Sequence, residues 1–266
     1  MKLTMLGTGN ALVTECYNTC FIFNDAGQLF LVDGGGGNGI LHQLKYAGID
    51  WKNIHEIFVT HRHYDHLTGI LWLVRVICQF MCFGKYDGEV TIYAHDEVIN
   101  LIRQISCGVL SKEEYRYLDY RLHLIEVFDG ETRTINGRSV TFFDIHSSKA
   151  KQYGFRMSLN DDEYLACCGD EPFDDSESDY VRNCKWLMHE AFCLDSESHI
   201  FNPYERHHST VKDACTLAEK MNVKNLILYH TEDRNIKNKR LLYTQEGSKY
   251  FSGTLYVPYD LDEIVL

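Results

Sequence analysis

The sequence predicts a mixed α/β protein built in layers, and three observations carry that reading. Short segments rich in β-branched and aromatic residues alternate with apolar stretches of helical length. No Pro/Gly/Ser-rich linker, internal repeat or low-complexity tract interrupts the 266 residues, which hold only three prolines, so a single domain over residues 1 to 266 is expected. Histidines and carboxylates recur at the C-terminal ends of the strand-like segments. That is where α/β proteins join rigid scaffold to variable loop and build their sites.

"KLTML" (2 to 6), "CFIFN" (20 to 24) and "QLFLVD" (28 to 33) read as an antiparallel opening, because "NDAG" supplies turn residues between the last two. "GILHQLKYAG" (39 to 48) reads as a helix stopped by Gly48. "HEIFVT" (55 to 60) is the next strand, and "LTGILWLVRVICQF" (67 to 80) an apolar helix. Further strands are expected at 89 to 94, 139 to 145, 163 to 168, 185 to 189 and 225 to 230. Helices are expected at 96 to 106, 111 to 119 and 209 to 221. A layered α/β arrangement follows.

The composition, 45% hydrophobic and 24% charged, suits a soluble protein with a substantial core. A formal charge of −12 counts against non-specific attraction to a polyphosphate, which rests on clustered Lys and Arg. Nowhere do about 18 uncharged apolar residues run together, so no membrane span and a cytoplasmic protein are expected. Ten cysteines with irregular spacing form no C-x-x-C pair, which points to buried reduced thiols. "VDGGGGNGI" (32 to 40) matches neither nucleotide-loop pattern; its expected use is close backbone packing that lets Asp33 stand behind a metal site as an acceptor.

The chemistry concentrates in "VTHRHYDHLTG" (59 to 69), three histidines and an aspartate within six positions. Zinc takes imidazole nitrogen and carboxylate oxygen at ~2.0–2.2 Å, so ligands must converge from several segments. His61 and His63 can reach one ion, while Asp65 and His66 face a second. At the ends of later strands, His146 can close the first site, His230 the second, and Asp170 can bridge them. The expected sets are His61, His63, His146 and Asp170 for one metal, and Asp65, His66, Asp170 and His230 for the other. Two ions ~3.5–4 Å apart can share a hydroxide and clamp attacking and leaving oxygens. Two Zn²⁺ are the expected cofactors, with Mn²⁺ or Fe²⁺ compatible with the same donors.

Several segments together resemble the metallo-β-lactamase superfamily, and within it the ribonuclease Z branch. "FVTHRHYDHLTGI" resembles its metal motif, "LGTGNALVTECYNTCFIF" its N-terminal strand and "ACCGDEPF" its Gly-Asp segment; "MHEAF", "HHST" and "LILYHTEDR" come after them in family order. The resemblance implies an αββα sandwich of two mixed sheets flanked by helices, two zinc ions at one sheet edge, hydrolysis of phosphodiester bonds, and a homodimer. It also implies that His208 protonates the departing oxygen with Glu190 orienting its imidazole. Asp65 is counted with them in the catalytic set. His207 competes with His208 for the acid role, and His208 is preferred because it directly precedes the Ser-Thr.

One departure matters. The branch usually carries a long tRNA-gripping arm between the segments that here hold His146 and Asp170, and only 23 residues separate the two, room for a strand pair and a turn. This counts against tRNA 3′ processing and leaves cyclic or nucleotide diesters and other RNA as substrates. Two alternatives remain: hydrolysis of a carbonyl substrate such as a lactone, thioester or β-lactam by the same centre, and a non-catalytic metal-dependent binding protein. A redox di-iron centre fits less well, because members of that kind carry Glu where His63 stands.

Overall fold

Buried apolar side chains sort into three separate layers, and this sorting defines the architecture. The computed structural model describes residues 1–266. The chain first lays down β1 (Lys2–Gly7), β2 (Cys20–Asp25), β3 (Gln28–Val32), β4 (Ile54–Phe58), β5 (Val90–Ala94) and β6 (Leu122–Glu126). A second sheet comes next with β7 (Thr132–Ile135), β8 (Arg138–Asp144), β9 (Tyr153–Ser158), β10 (Tyr164–Cys167), β11 (Trp186–Glu190), β12 (Asn225–Tyr229) and β13 (Thr254–Tyr256). Finally β14 (Glu263–Val265) returns to the first sheet beside β1.

Each sheet has seven strands, antiparallel at one side and parallel at the other. In the first, β1 to β3 pair antiparallel and β3 to β6 parallel. In the second, β7 to β10 pair antiparallel and β10 to β13 parallel. Strand alternation divides the side chains. Phe21 and Phe23 of β2 enter the core between the sheets, whereas Cys20 and Ile22 face the helices. Aromatic pairs such as Phe58–Phe142, with centroids 4.8 Å apart, bridge the two sheets.

Helices α1 (Gly39–Tyr46), α2 (Tyr64–Cys82) and α3 (Asp96–Val109) cover the first sheet, and the short α4 (Lys112–Tyr115) packs on α2. On the far side are α5 (Ser178–Val181), α6 (Ser198–Phe201), α7 (Val211–Lys220) and α8 (Lys239–Gly247). Val181, Val211, Ala214, Ala218 and Tyr243 from this group seal the second sheet. The layers therefore run helix, sheet, sheet, helix, the expected αββα sandwich. By length and composition α2 is apolar enough to cross a membrane, but Leu67, Ile70, Leu73, Val74 and Ile77 place it in the core.

The strands read from the sequence are present, and the 23-residue gap is indeed a strand pair with a turn, β9 and β10. α5, α6 and α8 are additional to the expected helices, α3 runs on to Val109, and two expected helices differ for a visible reason. α2 starts at Tyr64, three residues early, because His63 adopts the extended conformation of an N-cap and Asp65 complements the positive end of the helix. The helix expected over 111 to 119 is only α4: Ser111 and Glu114 form a capping box, and the chain then turns until Asp119 sits at φ 62°. β6, β7, β13 and β14 are additional to the expected strands. They are short, and β7 and β14 are largely exposed edge strands with no clean apolar alternation.

One buried carboxyl generates a test of the fold. Glu177 caps its own turn by accepting the Asp174 N–H at 2.9 Å, but its Oε2 is buried without a partner. Burial pushes its pKa up to about 8. Unfolded, the group titrates near ~4.3, so the native state holds the extra proton between about pH 4.3 and 8, and stability falls as pH rises through that window. Glu177→Gln should remove on the order of a few kcal/mol of this loss, read as a flatter stability-against-pH curve in urea unfolding. An unchanged curve would show that the carboxyl is not buried uncharged.

Candidate metal centre

Parallel strands put their C-terminal ends at one edge, and both sheets turn their parallel halves to the same edge of the sandwich. Asp33 comes directly after β3, His61 lies three residues past β4, Asp170 three past β10, Glu190 ends β11 and His230 comes directly after β12. All five are buried. Asp33 and His230 hold left-handed backbone, φ 58° and 55°, a conformation that non-glycine residues adopt at a cost and that is concentrated at functional sites.

Asp170 is the centre of the cluster. Its Oδ2 lies 3.6 Å from His61 Nε2, 3.5 Å from His66 Nε2 and 3.4 Å from His230 Nε2. Asp65 Oδ2 lies 3.4 Å from both His66 Nε2 and His230 Nε2. These separations are long for hydrogen bonds. They match the ~3.3–3.6 Å edge between two ligands that each sit ~2.0–2.2 Å from a tetrahedral ion. His66 Nε2 and Asp170 Oδ1 are buried without hydrogen-bond partners, as donors awaiting a cation would be. On geometry and chemistry, the residues fit a metal centre.

Charge supports the same conclusion. Burial opposes ionisation of Asp170, yet His61, His230 and His66 outweigh it and hold the carboxyl well below the usual range. Asp65 is likewise held low against burial, by His66 and His230. Burial holds His61 well below the usual imidazole range, whereas Asp65 and Asp33 outweigh burial and hold His66 well above it, so the carboxylates keep positive charge in a buried cluster.

Asp33 fixes the orientation of two of these rings. Its Oδ2 accepts from His66 Nδ1 at 2.7 Å and from the Thr60 hydroxyl at 2.7 Å, and its Oδ1 accepts the Thr60 N–H at 2.8 Å. The Thr60 oxygen is then free to accept from His61 Nδ1 at 2.9 Å. Both imidazoles thus engage their acceptors through Nδ1 and turn Nε2 to the cluster. The glycines make this approach possible. A Cβ on Gly69 would lie 1.8 Å from the Gly34 carbonyl oxygen, and the Gly34 N–H donates to His66 O at 2.9 Å.

The remaining sequence-predicted residues divide. His63 Nδ1 faces His61 Nε2 at 2.9 Å, half-buried at the mouth. His146 is not brought into the cluster: it is exposed on the loop after β8, its backbone left-handed at φ 56° with its N–H on Asp144 Oδ1 at 2.8 Å, and its charge acts on Asp174. Glu190, His208 and His230 bring donor atoms within 4.8 Å of one another. His208 Nδ1 lies 3.5 Å from Glu190 Oε2, and the ring stacks on Phe192 at 4.9 Å and 9°. The other Glu190 oxygen accepts the Ser209 N–H. His207 is exposed and points to Ser148 Oγ at 3.2 Å, so the ring beside Glu190 is that of His208. The helix cap here is Thr210, which leaves Ser209 free for Glu190.

Sequence reasoning missed Thr60, Lys149 and Glu171. Lys149 Nζ stands 3.4 Å from His208 Nε2, and Glu171 holds the loop that carries it. Thr60 and Glu171 adjoin His61 and Asp170 in the sequence, a signal available but unused; Lys149 has no such mark.

A family model described as "Anti-Pycsar protein Apyc1" matches residues 1–251. The chain belongs to this Apyc1 family. The Apyc1-family chain is also similar to ribonuclease Z of Methanocaldococcus jannaschii, at 27% identity across 94% of this chain and 92% of the relative. Among solved structures it is similar to the metallo-β-lactamase fold protein YhfI from Bacillus subtilis, with TM-score 0.79 and 19% identity over 99% of this chain and 98% of that one. Human tRNase Z, short form, superposes with TM-score 0.75 and 20% identity over 100% and 99%. This Apyc1-family chain thus has the metallo-β-lactamase fold and is a ribonuclease Z-like metal-dependent hydrolase.

Replacing Asp33 by Ala removes the acceptor that orients His61 and His66. Metal affinity should fall roughly 10- to 100-fold, measured by competition with a chelator. Unaltered affinity would show that the rings are fixed by other contacts.

Proposed function

We propose that this protein hydrolyses phosphodiester bonds at a dinuclear zinc centre, with His208 as the general acid and Glu190 holding its imidazole. His61, His63 and Asp170 would hold one ion, and Asp65, His66, Asp170 and His230 the other. His146, from the loop after β8, is the candidate for the open position of the first. When bound, such a pair supplies ionised water at neutral pH and neutralises charge on phosphoryl oxygens. The observation that carries the reading is the Glu190–His208 pair, 3.5 Å apart, whose donor atoms lie within 4.8 Å of those of His230.

The chain's own part in the reaction comes from burial. Burial pushes Glu190 up to about 8, and burial together with Lys149 pushes His208 down to about 4, so the pair shares one proton at neutral pH. Stacking on Phe192 fixes the ring plane, and Nε2 faces the cleft. An anionic substrate draws the shared proton onto His208, from which the leaving oxygen takes it. Relatives named ribonuclease Z support a phosphodiester as the scissile bond. The five residues between β9 and β10, where an arm would stand, and the net charge of −12 favour small cyclic or nucleotide diesters over structured RNA.

A homodimer is proposed with it, through the apolar exposed face of Tyr64 and Trp72 on α2 and Val109 on α3. A cytoplasmic location accords with ten unpaired cysteines, seven of them buried.

Zinc-loaded protein should turn over bis(p-nitrophenyl) phosphate and cyclic nucleotides, and His208→Ala should lower kcat by roughly 10²- to 10⁴-fold with metal content unchanged. Turnover of lactones or thioesters with none of any diester would overturn the proposal. His146→Ala is expected to lower the occupancy of one ion; retention of both at full affinity would remove His146 from the ligand set.

A further inference from the structure

The 145–152 loop between β8 and β9 lies against the cleft, and its tip is fastened more firmly than a surface turn requires. Ser147 Oγ donates to Glu171 Oε1 at 2.7 Å, and the Ser148 N–H donates to Glu171 Oε2 at 3.2 Å. Ser147 Oγ also accepts the N–H groups of Lys149 and Ala150, at 3.2 and 3.3 Å. Glu171 is itself buried and stands directly after Asp170 in the chain. One backbone step therefore sets a metal-facing carboxylate and the carboxylate that anchors this loop, so the loop is held in register with the donor cluster.

The loop delivers Lys149. Its ammonium lies 3.4 Å from His208 Nε2 and 3.6 Å from Glu171 Oε1. The carboxylate is beyond hydrogen-bond distance, so it orients the ammonium without fully satisfying it. Two basic nitrogens from separate segments, Lys149 Nζ and His208 Nε2, thus converge on one point at the mouth of the cleft. Such a pairing is unfavourable when both carry protons, and it becomes favourable when an anion accepts from both.

We infer that Lys149 Nζ and His208 Nε2 form a two-point clamp for the phosphoryl group of an anionic substrate, Lys149 on a non-bridging oxygen and His208 on the leaving oxygen, with Glu171 positioning the clamp. The inference rests on the phosphodiesterase reading for its substrate and deepens it. The site selects the phosphodiester monoanion over a neutral ester. Lys149 meets the negative charge of the phosphoryl group, and His208 reaches the leaving oxygen of the same group.

The test uses metal-analysed holoprotein carrying Lys149→Ala, Lys149→Arg or Glu171→Gln. Inorganic phosphate serves as a binding probe by calorimetry, alongside bis(p-nitrophenyl) phosphate turnover. Lys149→Ala should weaken phosphate binding and raise KM for the diester roughly 10- to 100-fold, with a smaller change in kcat and with metal content and Tm unchanged. The salt dependence of kcat/KM should diminish in the same variant, and Lys149→Arg should restore most of the affinity. Glu171→Gln should weaken phosphate binding in the same direction through the loosened loop. Unchanged phosphate affinity and KM in Lys149→Ala would overturn the clamp, as would a loss of Tm in that variant with affinity intact. If wild-type protein cleaves no diester, the phosphodiesterase reading fails on its own, while loss of phosphate binding in Lys149→Ala still supports the clamp.

Discussion

One carboxylate oxygen, Asp170 Oδ2, stands 3.4 to 3.6 Å from three imidazole nitrogens that come from two different sheets. Everything else in the site is arranged around that point. His61 and His66 arrive from the end of β4 and the first turn of α2, and His230 arrives from the end of β12. They meet only because the parallel halves of the two sheets end on the same edge of the sandwich. The core between the sheets sets how far apart those ends lie, so residues such as Phe58 and Phe142 help fix the spacing of metal donors they never touch.

Behind Asp170 the site depends on a second carboxylate. Asp33 binds His66 directly and His61 through Thr60, which fixes both rings with Nε2 towards the cluster. This costs a left-handed backbone at Asp33 and a glycine contact too close for any side chain at Gly69. These donors are buried, within three residues of a strand end or in the first turn of α2. By contrast His146, Lys149 and His207 lie on loops at the rim, where substrate contact and adjustment belong.

Much of this arrangement is legible in the sequence because the decisive features are local or periodic. The H-x-H-x-D-H run is contiguous, and Asp170 and His230 each stand just past a strand-like segment, where a site residue is expected. Asp33 is readable as a supporting acceptor from the glycines around it. The αββα layering itself comes from the family resemblance. The features that escape the sequence are non-local. The orientation of His146 depends on the backbone of its loop, and residue spacing carries no information about which way a left-handed residue turns its ring. Lys149 resembles any surface lysine until Glu171, 22 positions away, is seen to hold its loop. Motif position cannot show that His208, and not His207, shares the Glu190 carboxylate with Ser209; that placement depends on the fold.

Anomalous diffraction at the zinc edge from crystals of zinc-loaded protein tests most directly the proposal that Asp170 stands between two metal ions. The dinuclear arrangement predicts two peaks ~3.5–4 Å apart, one beside His61 and His63, the other beside Asp65 and His230, with the Asp170 carboxylate reaching both. A single peak, or two peaks with Asp170 bound to neither or to only one, would contradict it.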